Sequence, residues 1–138
     1  MTTIHELEIR NLLRMAKEAQ SRAYAPYSRF QVGAVVKGSS GAYYLGCNIE
    51  NASYSITVCA ERVALAKAVY DGERAFDAVA IVSDSSQPTV PCGACRQFLS
   101  EFLGPDVPVI CADKAGEYIV VTLAELYPYP FLPKQVMS

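Results

Sequence analysis

Apolar residues at Ile9, Leu12, Leu13, Ala16, Ala19 and Ala23 recur at the spacing of one helix face, so the chain opens on an amphipathic helix. Thr3-Ile4-His5-Glu6 has the form of a capping box in front of it. The periodicity carries the helix to about Arg22, and Pro26 stops it. Positions 30–36 and 42–47 then read as strands, and Lys37-Gly38-Ser39-Ser40-Gly41 between them predicts an antiparallel hairpin.

An irregular polar stretch at 48–58 precedes a second helix at 59–70, with Val63, Ala64, Ala66, Ala68 and Val69 as its apolar residues and Gly72 as a C-cap candidate. The short apolar run at 77–82 suits a strand buried on both faces. A third helix at 93–103 closes on Gly104-Pro105, and 107–112 repeats the buried-strand pattern. A fifth strand is expected at 118–121, and Thr122-Leu123-Ala124-Glu125 is a second capping box opening a short helix. Positions 132–138 carry no pattern and are expected to be mobile.

Strands alternating with helices predict an α/β fold, a three-layer αβα sandwich on a mixed five-stranded sheet. The 138 residues suit one domain, 1–138, with no internal repeat or linker. Twelve Lys and Arg against 14 Asp and Glu leave no electrostatic footprint for a nucleic-acid backbone. The N-terminal stretch is interrupted by Glu6, Glu8, Arg10, Arg14, Lys17 and Glu18, so no secretory core is expected there and no membrane span elsewhere. Five cysteines form an odd set without disulfide-scaffold density, which points to a reducing cytoplasm where thiols stay available for metal.

Three of those cysteines carry the chemistry. Cys92 and Cys95, two residues apart, can reach one metal, although redox motifs share that spacing. A redox pair does not need Cys59, 33 residues upstream, or Glu61 beside it. A structural zinc usually takes four protein ligands, whereas a catalytic zinc commonly takes three and leaves one position to water or substrate. Cys59 opens the second predicted helix and Cys92 and Cys95 the third, where free N–H groups and the helix dipole favour thiolates. Three thiolates exceed the charge of a zinc ion; the helix starts offset part of the excess, and Arg62, beside the ligands, can donate to their sulfurs. His5, the single histidine, falls in the first turn of the opening helix and reads as solvated, while Cys47 and Cys111 read as core thiols.

Ala25-Pro26-Tyr27-Ser28-Arg29-Phe30-Gln31-Val32-Gly33-Ala34, Asn48-Ile49-Glu50-Asn51-Ala52-Ser53-Tyr54, Cys59-Ala60-Glu61-Arg62 and Pro91-Cys92-Gly93-Ala94-Cys95-Arg96-Gln97 together resemble the small homotetrameric cytidine deaminases, in that family's order and spacing. The resemblance covers roughly positions 25–131. It implies one zinc ion per subunit on Cys59, Cys92 and Cys95, activating water for attack on C4 of cytosine. Glu61 would serve as proton shuttle, protonating first ring N3 and then the departing amine.

The resemblance further implies that Asn48 and Glu50 bind a ribose, that Phe30 packs against the pyrimidine, and that Ala60 offers its backbone N–H to the base. Tyr54 falls in a matching block, and Phe131 matches an aromatic that reaches a neighbouring subunit's site, which requires a homotetramer. Val90, Ser55 and Val63 depart from the usual family residues and bear on loop shape.

The expected activity is deamination of cytidine and deoxycytidine in pyrimidine salvage, on a small-molecule nucleoside, with neither nucleic acid nor membrane as partner. Two alternatives remain at this point: a deaminase of a modified cytosine nucleoside or blasticidin-type antibiotic, and a non-catalytic zinc-stabilised interaction domain. The nucleic-acid-editing relatives usually place a histidine where Cys59 stands.

Overall fold

The computed structural model describes residues 4–137. Five strands, β1 (Val32–Gly38), β2 (Tyr43–Cys47), β3 (Phe76–Ser83), β4 (Pro108–Ala112) and β5 (Tyr118–Thr122), form one sheet in the order β2-β1-β3-β4-β5. Only β3 and β4 pair in parallel, while β1 runs antiparallel to both β2 and β3, and β5 antiparallel to β4. The mixed five-stranded sheet expected from the sequence is therefore present.

Side-chain alternation along the central strands divides the core in two. Ala34, Val36, Val79, Ile81, Val109 and Cys111 face helices α2 (Ala60–Tyr70) and α3 (Gly93–Phe102), where they meet Ala64, Leu65, Ala68 and Leu99. Their neighbours Val35, Ala78, Ala80, Val82, Ile110 and Ala112 face α1 (Glu6–Gln20) through Ile9, Leu12 and Ala16. This is the three-layer arrangement, in which α1 is, among the described residues, the helix packed on the second face. The β2-α2-β3 and β3-α3-β4 connections start both α2 and α3 at the same end of the sheet, beyond the C-terminal ends of β2 and β3. Ligand sites of open α/β sheets form at that end.

Two glycines set how closely the layers approach. A Cβ on Gly33 would stand 1.9 Å from the Ala16 carbonyl oxygen, and one on Gly46 would stand 2.5 Å from the Ala60 oxygen and 2.4 Å from the Ala64 nitrogen. Both obstacles are backbone, so neither moves without moving its helix. Gly46→Ala should push the first turn of α2 off the sheet and cost about 1–3 kcal/mol of stability. Chemical denaturation measures this, and an unchanged midpoint would refute the close approach.

Several boundaries differ from the sequence reading. Helix α1 is N-capped by His5, which is exposed as expected but makes no side-chain capping bond; Thr3 of the predicted capping box lies outside the described residues. Strand β1 begins at Val32 rather than position 30, because side chains take the place of ladder bonds there: the Asn48 amide donates to the Phe30 carbonyl (2.8 Å) and the Gln31 N–H donates to Asp84 (2.8 Å). A 3-10 turn spans Tyr54–Ile56 within the stretch read as irregular.

The second capping box is present, with Thr122 and Glu125 bonded reciprocally at the start of α4 (Leu123–Leu126). Positions 132–138, read as patternless, hold α5 (Lys134–Met137), where Pro133 supplies the accepting carbonyl for both Val136 and Met137. Cys111 is a core thiol as expected, but Cys47 is only half-buried, because β2 is an edge strand; its thiol donates to the Arg22 carbonyl at 3.3 Å.

Candidate metal centre and substrate site

Cys59 and Cys92 are the N-cap residues of α2 and α3, in extended backbone conformation, and neither side chain caps its own helix. Their carbonyls accept the first helical N–H bonds, from Val63 (3.1 Å) and Arg96 (3.0 Å), which leaves the sulfurs to project from the helix starts. Cys95 follows one turn into α3. The sulfurs of Cys59 and Cys92 lie 3.9 Å apart, those of Cys92 and Cys95 3.4 Å apart, and all three within 4.8 Å. A tetrahedral ion with metal–sulfur bonds of about 2.3 Å holds its sulfurs about 3.8 Å apart, so these residues fit a zinc ion. Among the described residues no fourth such ligand joins the group, and the sulfurs grade from exposed Cys92 to fully buried Cys95.

Electrostatics at the cluster favour a thiolate at Cys59. A hydrogen bond from the Cys95 thiol draws the Cys59 pKa down to about 5 against the effect of burial, and the Arg62 guanidinium and Cys92 thiol assist. Cys95, which donates that bond and is itself buried, is pushed up. Arg62 donates through Nη2 to the Thr57 carbonyl (3.3 Å) and the Cys59 sulfur (3.5 Å). Its Nε is buried without a hydrogen-bond partner, a group whose burial costs about 1–3 kcal/mol and which a negatively charged sulfur set offsets.

Glu61 is 4% exposed in the first turn of α2. Burial raises its pKa to about 7; its own backbone N–H opposes this, the Cys59 charge adds to it, and contact with Cys95 and the charge of Arg62 oppose it. The result is a carboxyl that titrates near neutrality beside three sulfurs, the condition under which one group both accepts and donates protons.

Of the loop residues singled out from the sequence, Asn48 and Glu50 lie on the segment paired beside Cys59, and their bonds tie down the stretch that carries Phe30. Ile49 and Val58 exchange backbone bonds (2.9 Å each), an isolated bridge that lays 48–50 alongside Cys59. Asn48 spans the entry to β1, accepting from the Val32 N–H (2.9 Å) and donating to the Phe30 carbonyl. Glu50 accepts from the Tyr27 and Ser28 N–H groups (3.0 and 3.1 Å) and from the Ser28 hydroxyl. These bonds, the hydroxyl first, hold its carboxyl below the usual range. Between them Arg29 adopts a left-handed φ of 59°, an uncommon conformation for a residue with a Cβ, directly before Phe30. Tyr54 meets Tyr27 edge to face at 6.1 Å, and Phe30 and Tyr54 are both exposed. Ala60 is fully buried as the first residue of α2, where its N–H has no intrahelical acceptor.

Phe131 stands apart from that group: its backbone bonds go to Gln97 on α3, and its ring is exposed. Sequence reasoning assigned no role to Ser28, Thr57, Arg96 or Gln97, although all but Thr57 fall inside the blocks it quoted. Ser28 and Gln97 meet partners more than 20 residues away, as Arg96 does at Leu126, and no local pattern marks them.

The chain matches the family model described as the cytidine and deoxycytidylate deaminase zinc-binding region over residues 7–111. It is 46% identical over 125 residues to a cytidine deaminase of Sporosarcina psychrophila, covering 91% of this chain and 92% of that one. A cytidine deaminase of Halalkalibacterium halodurans is likewise 46% identical, over 120 residues. The crystal structure of the cytidine deaminase from Burkholderia pseudomallei superposes with a TM-score of 0.86 at 42% identity, covering 88% of this chain and 98% of that one. That from Mycobacterium tuberculosis does so with a TM-score of 0.78 at 33% identity, covering 93% and 98%. Sequence, fold and a three-sulfur site at two helix starts converge, and the chain belongs to the cytidine and deoxycytidylate deaminase zinc-binding family.

Proposed function

We propose that this chain deaminates cytidine and deoxycytidine by hydrolysis, releasing ammonia with uridine or deoxyuridine. The observation that carries the reading is Glu61: a buried carboxyl with a pKa near 7 beside the sulfur cluster. Cys59, Cys92 and Cys95 would hold zinc, which when bound supplies a Lewis acid that lowers the pKa of water at its open position. Glu61 takes up one proton of the attacking water and delivers it to N3 of the pyrimidine, and afterwards carries the second, from the hydroxyl left on C4, to the leaving amino nitrogen. Arg62 holds Cys59 through its sulfur and moderates the charge of the thiolates.

Substrate recognition falls to groups already fixed by the protein. Asn48, after its two internal bonds, keeps one amide hydrogen and one lone pair, and Glu50 keeps one of four carboxylate acceptor positions. Ribose hydroxyls would meet these groups, which are held rigid by the loops they bridge. Phe30 and Tyr54 would flank the nucleoside, and the Ala60 N–H would meet the base.

Exposed aromatic residues at Tyr27, Tyr54 and Phe131 support a covering subunit, and the resemblance supports a homotetramer in which Phe131 reaches a neighbour's site. The described residues contain no helix long and apolar enough to cross a membrane. We place the enzyme in the cytoplasm, in pyrimidine salvage.

The test mixes zinc-loaded protein with each nucleoside and follows cytosine absorbance together with ammonia release. Loss of absorbance matched by ammonia is expected for both. Silence from both with zinc bound would overturn the reading.

A further inference from the structure

The segment between α4 and α5 has no backbone ladder of its own. After the Tyr127 N–H bonds back to Leu123 (2.8 Å), the next backbone–backbone bond among the described residues is that of Gln135 to Leu132 (2.9 Å). What holds the intervening strap is the side chain of Gln97. Its Oε1 accepts from the Tyr127 hydroxyl (2.8 Å) and from the Phe131 N–H (3.3 Å), while its Nε2 donates to the Phe131 carbonyl (2.7 Å). One carboxamide thus closes on the backbone of Phe131 from both sides. The preceding residue fastens the end of α4 from which the strap leaves: Arg96 donates through Nη1 to the Leu126 carbonyl (2.7 Å) and through Nε to the Pro91 carbonyl (2.8 Å), next to Cys92.

The geometry points to Gln97 as a positioning residue for Phe131, fixing where that exposed ring is presented and so how well a nucleoside is held. This rests on the reading above that Phe131 packs on substrate in a neighbouring subunit. Pro128, Pro130 and Pro133 fix φ at three positions of the strap, but no ladder bond holds the torsions of Phe131 itself, and ordering them on binding would weaken the contact. Tying it to α3 removes that cost in advance. Glutamine supplies both functions at once, since one end of its amide accepts and the other donates.

The chain contains no tryptophan, so Phe131→Trp introduces a single fluorescent reporter at the position in question. In that background Gln97→Ala should lower the indole's steady-state anisotropy and increase its quenching by acrylamide. Gln97→Glu keeps the acceptor and loses the donor, setting a carboxylate oxygen against the Phe131 carbonyl. It should give the same loss with thermal stability retained, which excludes unfolding of α3 as the cause.

In the protein without the reporter, Phe131→Ala should raise KM for cytidine about 10-fold with kcat within about 2-fold, and Gln97→Ala should raise KM about 5-fold. The double variant should be no worse than Phe131→Ala alone, whereas a purely structural role for Gln97 would add to it. Unchanged reporter anisotropy in Gln97→Ala or additive KM effects would overturn the inference while leaving Phe131 in place. An unchanged KM in Phe131→Ala would instead overturn the reading beneath it, and the inference with it.

Discussion

Glu61→Ala should bind zinc at full stoichiometry and turn over cytidine about 10⁴-fold more slowly, the scale of a lost general acid–base group. The carboxyl sits within the first turn of α2, two residues from Cys59, and is nearly enclosed. The three-sulfur group itself contains no carboxyl, and Glu61 is the one that interacts with the sulfurs of Cys59 and Cys95. Metal analysis alongside turnover separates a proton carrier from a residue that merely holds the site together. A zinc-replete variant with near-normal turnover would remove the role.

The same burial predicts an opposite effect on stability. A carboxyl whose pKa rises from 4.5 in the unfolded chain to about 7 in the folded one disfavours the folded state wherever it must ionise. Its cost is absent below pH 4.5, grows as pH rises, and is complete above about 7. At pH 8 the metal-free Glu61→Gln protein should therefore be more stable than the metal-free wild type by about 3 kcal/mol, with the gap closing towards pH 4. Denaturation curves of chelator-treated proteins across that range test the sign. A gap that widened on acidification would contradict a buried, neutral-tending Glu61.

The second large effect concerns Cys95, whose sulfur is fully buried one turn inside α3. Cys95→Ala leaves two sulfurs, Cys59 and Cys92, too few for a closed or a catalytic zinc shell. The variant should lose zinc on dialysis against a chelator and show no deamination above background. Its stability should also become indifferent to zinc. A ligand at a thousand times its dissociation constant stabilises the folded state by about 4 kcal/mol, and this increment should vanish. Comparing each protein with and without zinc cancels the packing cost of removing the sulfur. A zinc-dependent rise in the melting temperature of Cys95→Ala would mean that the ion is held elsewhere.

Much of this site was legible along the chain because its elements are local. Cys92 and Cys95 lie within one helical turn, Glu61 lies two residues from Cys59, and both segments carry helix-start signals that the structure places at α2 and α3. Central strands β3 and β4 were legible as continuous apolar runs, since both their faces are covered. The loops were less so. Asn48 and Glu50 could be picked out as polar residues in an irregular stretch, but not that their side chains tie down the Phe30 and Tyr27 segments some 20 residues away. The start of β1 moved by two residues for the same reason, because side-chain bonds from distant residues replaced ladder bonds at Phe30 and Gln31.

The sequence by itself determined the alternation of elements, the candidate ligands and the candidate proton carrier beside them, since periodicity, caps and short spacings are properties of neighbouring residues. Tertiary structure decided what lies between distant segments. It brought Cys59 within 3.9 Å of Cys92, enclosed Glu61 so that its pKa rises, and set α2 against Gly46 with no room for a Cβ. It also placed Gln97 under Phe131. Those outcomes depend on how two crossovers pack on one face of a sheet, and no local pattern of residues encodes a distance across that packing.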